Sequence, residues 1–295
     1  MTQIEEVAAG VYAYLQPPGG WWVNNTGFLV DHGGVVSIDA CGTERRTRAY
    51  LDAISSVSRA PVRTLINTHH HGDHTFGNYL FTEATIIGQD NIRDQILNFG
   101  LPQVDWYWTE VDWGDIELAP PFVTFAERMT LYLDGLQCDI RYAGGAAHTN
   151  NDSYVWLPEQ SVLFAGDLVF NGGTPFLLMG SISGAIRAVE SLRELGPRTV
   201  VPGHGQICGP EVFDAVLGYV RFVQGHAVAA REAGLSPLEA ARQIDLGPYS
   251  ELLDSERLVG NLHRAYADLD GASVDLFAAL ADMVAFNGGK LRTDA

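Results

Sequence analysis

"INTHHHGDHTFGN", residues 66–78, places four histidines and an aspartate in six consecutive positions, His69 to His74. The apolar run "VRTLI" just ahead of it predicts a short strand that delivers this segment at its C-terminal end. In extended backbone successive side chains point to opposite faces, so His69 and His71 share a side and His70 faces away as a spectator or supporting group. Gly72 lets the chain bend closely, after which Asp73 and His74 start a helical turn and diverge toward a different point in space. One short loop can thus feed two adjacent metal positions. Such a loop alone is as often a surface tract as a site, so the remaining donors must be sought elsewhere in the chain.

Neutral imidazole and carboxylate suit zinc, with iron or manganese as alternatives, and a hydrolytic metal pair needs about seven protein ligands. Three further stretches supply candidates. "GGAAHTNND" puts His148 in a Gly-rich loop after a strand, "LFAGDLVF" puts Asp167 at a strand end, and "VVPGHGQICG" does the same for His204. His32 falls in a turn, while His226 and His263 fall on expected helices, where a solvated or core-satisfied histidine is the ordinary finding. Cys41 and Cys208 lie near strand ends close to this constellation, but small buried cysteines are common and packing accounts for them.

Around these stretches, strands and helices alternate. "GVYAYLQ" and "TGFLVDHGGVVSID" read as strands, with Gly33 and Gly34 turning one into the next. A helix after Thr43 is marked by Tyr50, Ile54 and Val57, and "TIIG" then "QDNIRDQILNF" repeats the strand-helix order. "CDIRYAG", "SYVWLP" and "SVLFAGD" are further strands, and "GAIRAVESLRELG" followed by "RTVVPGHG" is a second helix-strand unit. Polar residues at strand ends describe an α/β protein with its site along one edge of its sheets. From about residue 211 the pattern is helical, with Leu258, Leu262, Tyr266 and Leu269 on one stripe and Val274, Phe277 and Leu280 on another.

Composition narrows the partners. The formal net charge of −18 comes from 36 acidic against 18 basic side chains, Lys290 being the single lysine. A nucleic-acid ligand would need a basic stripe, and the run "ERRTR" at 44–48 reads as a solvated helix face, so no nucleic acid is expected. No apolar run approaches a bilayer span and "MTQIEEVAAG" lacks the basic start of a signal peptide, so no membrane partner is expected. Cys41, Cys138 and Cys208 follow no paired spacing, which argues against a disulfide framework and for a reducing, cytoplasmic setting.

The pattern His69-x-His71-x-Asp73-His74, then His148, Asp167 and His204, resembles the ligand set of the metallo-β-lactamase fold superfamily over about residues 5–210. The resemblance implies an αββα sandwich as residues 1–210, with a helical C-terminal extension, 211–295, packed on it in a single globular unit. It further implies two Zn2+, the first on His69, His71 and His148, the second on Asp73, His74 and His204, with Asp167 bridging and with Asp73 and His204 in the catalytic machinery. A closer resemblance spans nearly the whole chain. "GVYAYLQPPGGWWVNNTGFLV", "VDWGDIELAPPFVTF", "TPFLLMGSISG", "LVGNLHRAYADL" and "MVAFNGG" look like the second-ring cyclases of bacterial aromatic polyketide pathways, of the actinorhodin type. That likeness implies aldol closure of the second ring of an acyl-carrier-protein-bound intermediate, followed by thioester hydrolysis. One departure is visible: Thr149-Asn150-Asn151-Asp152 follows His148 where the superfamily often has Asp directly after His-Thr, leaving Asp152 to orient a ligand.

An aromatic polyketide, carrier-bound or free, needs a flat apolar wall. Trp21, Trp22 and Trp106, with Tyr107 and Trp108, lie in segments flanking the core elements and are expected to line it, Gly19-Gly20 forming a mobile lip. An acidic carrier protein would be repelled at long range by this chain, so docking is expected on local arginines of the helical third, Arg221, Arg231, Arg242, Arg257 and Arg264, unless these pair with Glu232, Glu239 and Glu256. The competing readings are a general hydrolase of the fold, whether thioesterase, lactonase or β-lactamase, and a scaffold with structural metals. An open metal pair disfavours the second, because structural sites are usually closed by protein ligands.

Overall fold

The computed structural model describes residues 2–102 and 106–295. Two sheets face each other. The first takes β1 (Gln3–Ala8), β2 (Val11–Leu15), β3 (Thr26–Asp31), β4 (Gly34–Ile38), β5 (Val62–Ile66), β6 (Thr85–Gln89) and β7 (Val123–Phe125) in sequence order. It is antiparallel through β4 and parallel from there on. The second contains β8 (Arg128–Leu133), β9 (Leu136–Tyr142), β10 (Ser153–Leu157), β11 (Val162–Asn171) and β12 (Thr199–Gly205), with β12 parallel to β11 at one edge. Leu15, Leu29, Val36 and Ile66 of the first sheet interdigitate with Ile140, Val155, Phe164 and Val201 of the second to form the inner core.

Helices cover both outer faces. On the first lies α1 (Glu44–Val57), begun by Thr43, whose side chain accepts from the Arg46 N–H, and packed through Tyr50 and Ile54 at i, i+4 spacing. A short turn, α2 (Gly72–Thr75), and α3 (Asp90–Phe99) complete that half. On the second face lies α4 (Ile182–Glu194), capped by Ser181 and buried through Ile182, Ala185, Val189 and Leu192. It is joined there by α5 (Glu211–Glu232), α6 (Pro237–Gln243), α7 (Arg257–Asp270) and α8 (Leu276–Asn287). Side chains of α4, α5 and α7 share one cluster with Leu163, Ala165 and Val169 of β11, so the helical C-terminal third is continuous with the core of the second sheet.

This is a four-layer αββα arrangement with a helical C-terminal region. The candidate donors sit where strands end at one rim: after β5, after β9, within β11 and at the end of β12. Among the described residues, no helix is long and apolar enough to cross a membrane.

Candidate metal centre

Two groups of donors converge at this rim. His69, His71, His148 and Asp167 form one and Asp73, His74 and His204 the other, the donor atoms of each lying within 4.8 Å of one another. Asp167 stands between them. Its Oδ1 is 3.1 Å from His74 Nε2, while its Oδ2 is 3.4 Å from His148 Nε2 and 3.3 Å from His204 Nε2. Asp73 Oδ2 lies 3.3 Å from His204 Nε2. Close backbone approach makes this possible: a Cβ on Gly203 would lie 2.0 Å from Asp167 Oδ1, so only glycine lets β12 pass beside that carboxylate.

The donor set fits divalent metals. His69 Nε2 is buried without a hydrogen-bond partner, and His74 Nε2 and Asp167 Oδ1 are buried facing each other at 3.1 Å without a well-aligned hydrogen bond, an arrangement costly to maintain unless something coordinates those atoms. The far nitrogen of each imidazole is held by the protein. His74 Nδ1 donates to Asp39 Oδ2 at 2.9 Å, His69 Nδ1 meets Thr68 Oγ1 at 3.1 Å, His148 Nδ1 donates to the Phe176 carbonyl and His204 Nδ1 to the Gly19 carbonyl at 3.1 Å. His71 is turned the other way. Its Nδ1 faces His148 Nε2 at 2.9 Å, and its Nε2 rests 3.2 Å from the Met179 sulfur, a weak acceptor.

Electrostatics separates the two groups. Burial pushes His69 and His71 well below the ordinary imidazole value, helped by neighbouring histidines, so both stay neutral and ready to ligate. Burial opposes charge on His74 and His204 too, but carboxylates outweigh it. Asp167, Asp73 and Asp39 hold His74 well above its usual value, and Asp167 and Asp73 bring His204 up to about 9. Burial likewise resists ionisation of Asp167, yet His204, His74, His69 and His148 keep it well below the usual carboxylate range.

His70 does point away: its Nδ1 is 3.0 Å from the Asn151 amide nitrogen, and its ring packs on Phe99. Asp152 accepts from the Thr149 N–H and hydroxyl, both at 2.7 Å, so it shapes the loop after His148 without touching an imidazole. The aromatic residues divide. Trp22 is half-buried, stacks with Phe76 at 5.8 Å and packs against Trp108 and Trp113, next to the turn that carries Asp73 and His74. Trp106 is exposed and packs against Tyr107.

Trp21 requires a correction. It is 8% exposed, edge-on to Phe176, with its Nε1 donating to Glu256 and Arg257 over its face, so it belongs to the core and has no free face for a substrate. Of the two alternatives for the arginines of the helical third, pairing with carboxylates is the one found for four of them, with partners other than Glu232, Glu239 and Glu256. Arg257 is buried with Asp254, while Arg221, Arg231 and Arg264 pair with Glu190, Asp270 and Asp268, and Arg242 donates to the Ala285 carbonyl. The partners are carboxylates from other elements or one turn away, which sequence proximity to Glu232, Glu239 and Glu256 does not indicate.

A profile of the metallo-beta-lactamase superfamily matches residues 19–204. The chain belongs to this superfamily, whose members are metal-dependent hydrolases. Among characterised relatives, it is 26% identical over 224 residues to the "Metallo-beta-lactamase type 2" of Bacteroides fragilis, covering 72% of this chain and 82% of that one. It is 27% identical over 182 residues to a "Hydroxyacylglutathione hydrolase" of Rhodospirillum rubrum, covering 60% of each. A solved metallo-beta-lactamase from Pontibacter korlensis shares the fold with a TM-score of 0.63 at 19% identity, over 75% of this chain and 99% of that one.

Proposed function

We propose that this chain is a dinuclear zinc cyclase and thioesterase that closes a ring in an aromatic poly-β-ketone thioester and then hydrolyses the thioester. The observation that carries the reading is the convergence of six buried or half-buried donors on a seventh, Asp167, with His69 Nε2 unpartnered and facing the centre. Bound there, a metal pair supplies a Lewis acid for a carbonyl oxygen and a water acidic enough to attack at neutral pH. His69, His71 and His148 would hold one ion and Asp73, His74 and His204 the other, with Asp167 shared. Asp73, kept ionised against its burial by His74 and His204, would accept a proton from a methylene between two carbonyls.

The substrate class rests on the aromatic surroundings and on the likeness that extends into the helical third. Trp22, Trp108, Trp113 and Phe76 present flat apolar surface beside Asp73, suited to a folding polyketide and to excluding water from an enolate. The names of the relatives favour a second reading, a general hydrolase of small thioesters or β-lactams. Zinc-loaded protein, assayed on an N-acetylcysteamine thioester of a β-keto acid, on a glutathione thioester and on a β-lactam, separates the two. Turnover confined to the β-keto thioester, with a cyclised product from a longer poly-β-ketone, is expected. Efficient β-lactam or glutathione-thioester hydrolysis without cyclisation would replace the cyclase reading.

A further inference from the structure

Arg257 is the largest fully buried side chain among the described residues, and the chemistry above makes no use of it. It opens α7. Its guanidinium pairs with Asp254 at 2.8 Å and donates to the Thr174 carbonyl at 2.9 Å. It also lies over two rings, 4.0 Å from the centre of Trp21 and 5.3 Å from that of Phe170. Both rings lead to His204. Phe170 is stacked on the His204 imidazole, 5.1 Å between centres and 6° from parallel. Trp21 follows Gly19, whose carbonyl accepts from His204 Nδ1.

The loop carrying Gly19 is fastened at each step by the segment that begins α7. Trp21 Nε1 donates to Glu256 at 2.7 Å, and Gly20 lies so close to Asp254 that a Cβ there would be 3.3 Å from its carboxylate. Gly19 itself has φ +85°, and a Cβ on it would fall 2.5 Å from the Gly205 nitrogen, the residue after His204. The other imidazoles differ. His69 and His74 are held from Thr68 and Asp39 and His71 by Met179, away from Arg257, while His148 is reached less directly: its ring is tilted 6.0 Å from Phe170, and its Nδ1 rests on the Phe176 carbonyl, two residues beyond the Thr174 carbonyl that Arg257 bonds.

We infer that Arg257 is a positioning residue acting mainly on one metal position: by clamping Trp21 and Phe170 it fixes His204, so that the helical C-terminal region sets the affinity of the Asp73, His74 and His204 position more strongly than that of the other. This rests on the two-metal reading, and the test keeps the two claims apart. Wild-type protein, Arg257→Met and Arg257→Lys are stripped and titrated with zinc against a chromophoric chelator, and the electronic spectrum is followed on cobalt substitution. Wild type is expected to take up about two ions. Arg257→Met is expected to retain the tighter first ion and to bind the second about 10–100-fold more weakly, the range for losing a supporting contact to a ligand. Arg257→Lys, which keeps the charge facing Asp254, should recover part of that loss.

Wild-type uptake of fewer than two ions would remove the metal reading itself. Two ions in wild type with unchanged second-ion affinity in Arg257→Met would overturn the positioning role, as would equal weakening of both ions. Where Arg257→Met fails to fold by circular dichroism, Trp21→Phe serves, because it removes the indole N–H that bonds Glu256 while leaving a six-membered aromatic ring under the guanidinium. Selective weakening of the second ion supports the inference, and unchanged affinity overturns it.

Discussion

Replacing Asp39 by Asn should weaken both metal positions at once. Asp39 is 2% exposed and accepts three bonds: from the Thr68 N–H and hydroxyl, each at 2.7 Å, and from His74 Nδ1 at 2.9 Å. Because the Thr68 hydroxyl donates to Asp39, its oxygen is left to accept from His69 Nδ1, so one carboxylate sets the tautomer of an imidazole in each group. An amide cannot do this. With its oxygen facing the Thr68 N–H, its NH2 confronts His74 Nδ1 and the Thr68 hydroxyl, and both imidazoles are driven to carry their proton on Nε2, the atom aimed at the metal. With the amide flipped, the NH2 opposes the Thr68 N–H instead. Each bond to a charged group contributes about 1.5–3 kcal/mol, so the metal-free variant should lose roughly 2–4 kcal/mol after partial relaxation by the same reckoning. Each zinc affinity should fall about 10–100-fold. Denaturant unfolding of stripped protein and zinc competition measure the two effects. A stably folded Asp39→Asn protein with both affinities unchanged would refute the tautomer argument, and weakening at one position only would break the proposed link through Thr68.

Four other outcomes are expected. In stripped protein, His204 is raised to about 9 from an unfolded value of about 6.5, so its stabilisation is full below the lower value and disappears as pH rises through the upper one, measurable as a falling denaturation midpoint. Over the same window zinc affinity at the His204 position should rise, with proton release, whereas the position using neutral His69 and His71 should depend less on pH in calorimetric titrations. His70→Ala should leave zinc content near normal yet cost about 1–3 kcal/mol, the price of stranding Asn151; loss of both ions would show that the loop has been sorted wrongly. Trp22→Ala should raise KM for an aromatic thioester with zinc content unchanged, and unaltered kinetics in a folded variant would remove Trp22 from the pocket.

The donors were legible because each is a ligand-type residue at the end of an apolar strand, and strand ends at one rim of a sandwich meet in space. What holds the donors was not. Asp39 follows β4 as one acidic residue among 36 Asp and Glu, and only the spatial approach of Thr68 and His74 singles it out. The Phe176 and Gly19 carbonyls carry no side-chain signal at all. Trp21 was misplaced because adjacent tryptophans beside a Gly-Gly pair look like a surface lip, whereas the buried guanidinium that claims Trp21 comes from a residue 236 positions later. The pairings of Arg221 with Glu190 and Arg231 with Asp270 are hidden too, since a helix sequence does not tell which carboxylates of other elements will face it.

These omissions follow a rule that bears on how the centre works. The first sheet supports His69 and His74 through the carboxylate of Asp39, just after β4, and that support is common to both donor groups. His148 and His204 are instead held by carbonyls of the segments 174–178 and 19–22, which are packed against the helical third through Asn261, Glu256 and Arg257. Asn261 reaches the first of these segments by accepting from the Leu177 N–H at 2.8 Å and donating to the Pro175 carbonyl at 2.7 Å. The sandwich therefore fixes the donors along one side, while the added helices fix those opposite. Changes in α7 can then retune the His148 and His204 side of the centre without altering a ligand or disturbing the sheets, which gives the C-terminal region a chemical role beyond covering the second sheet.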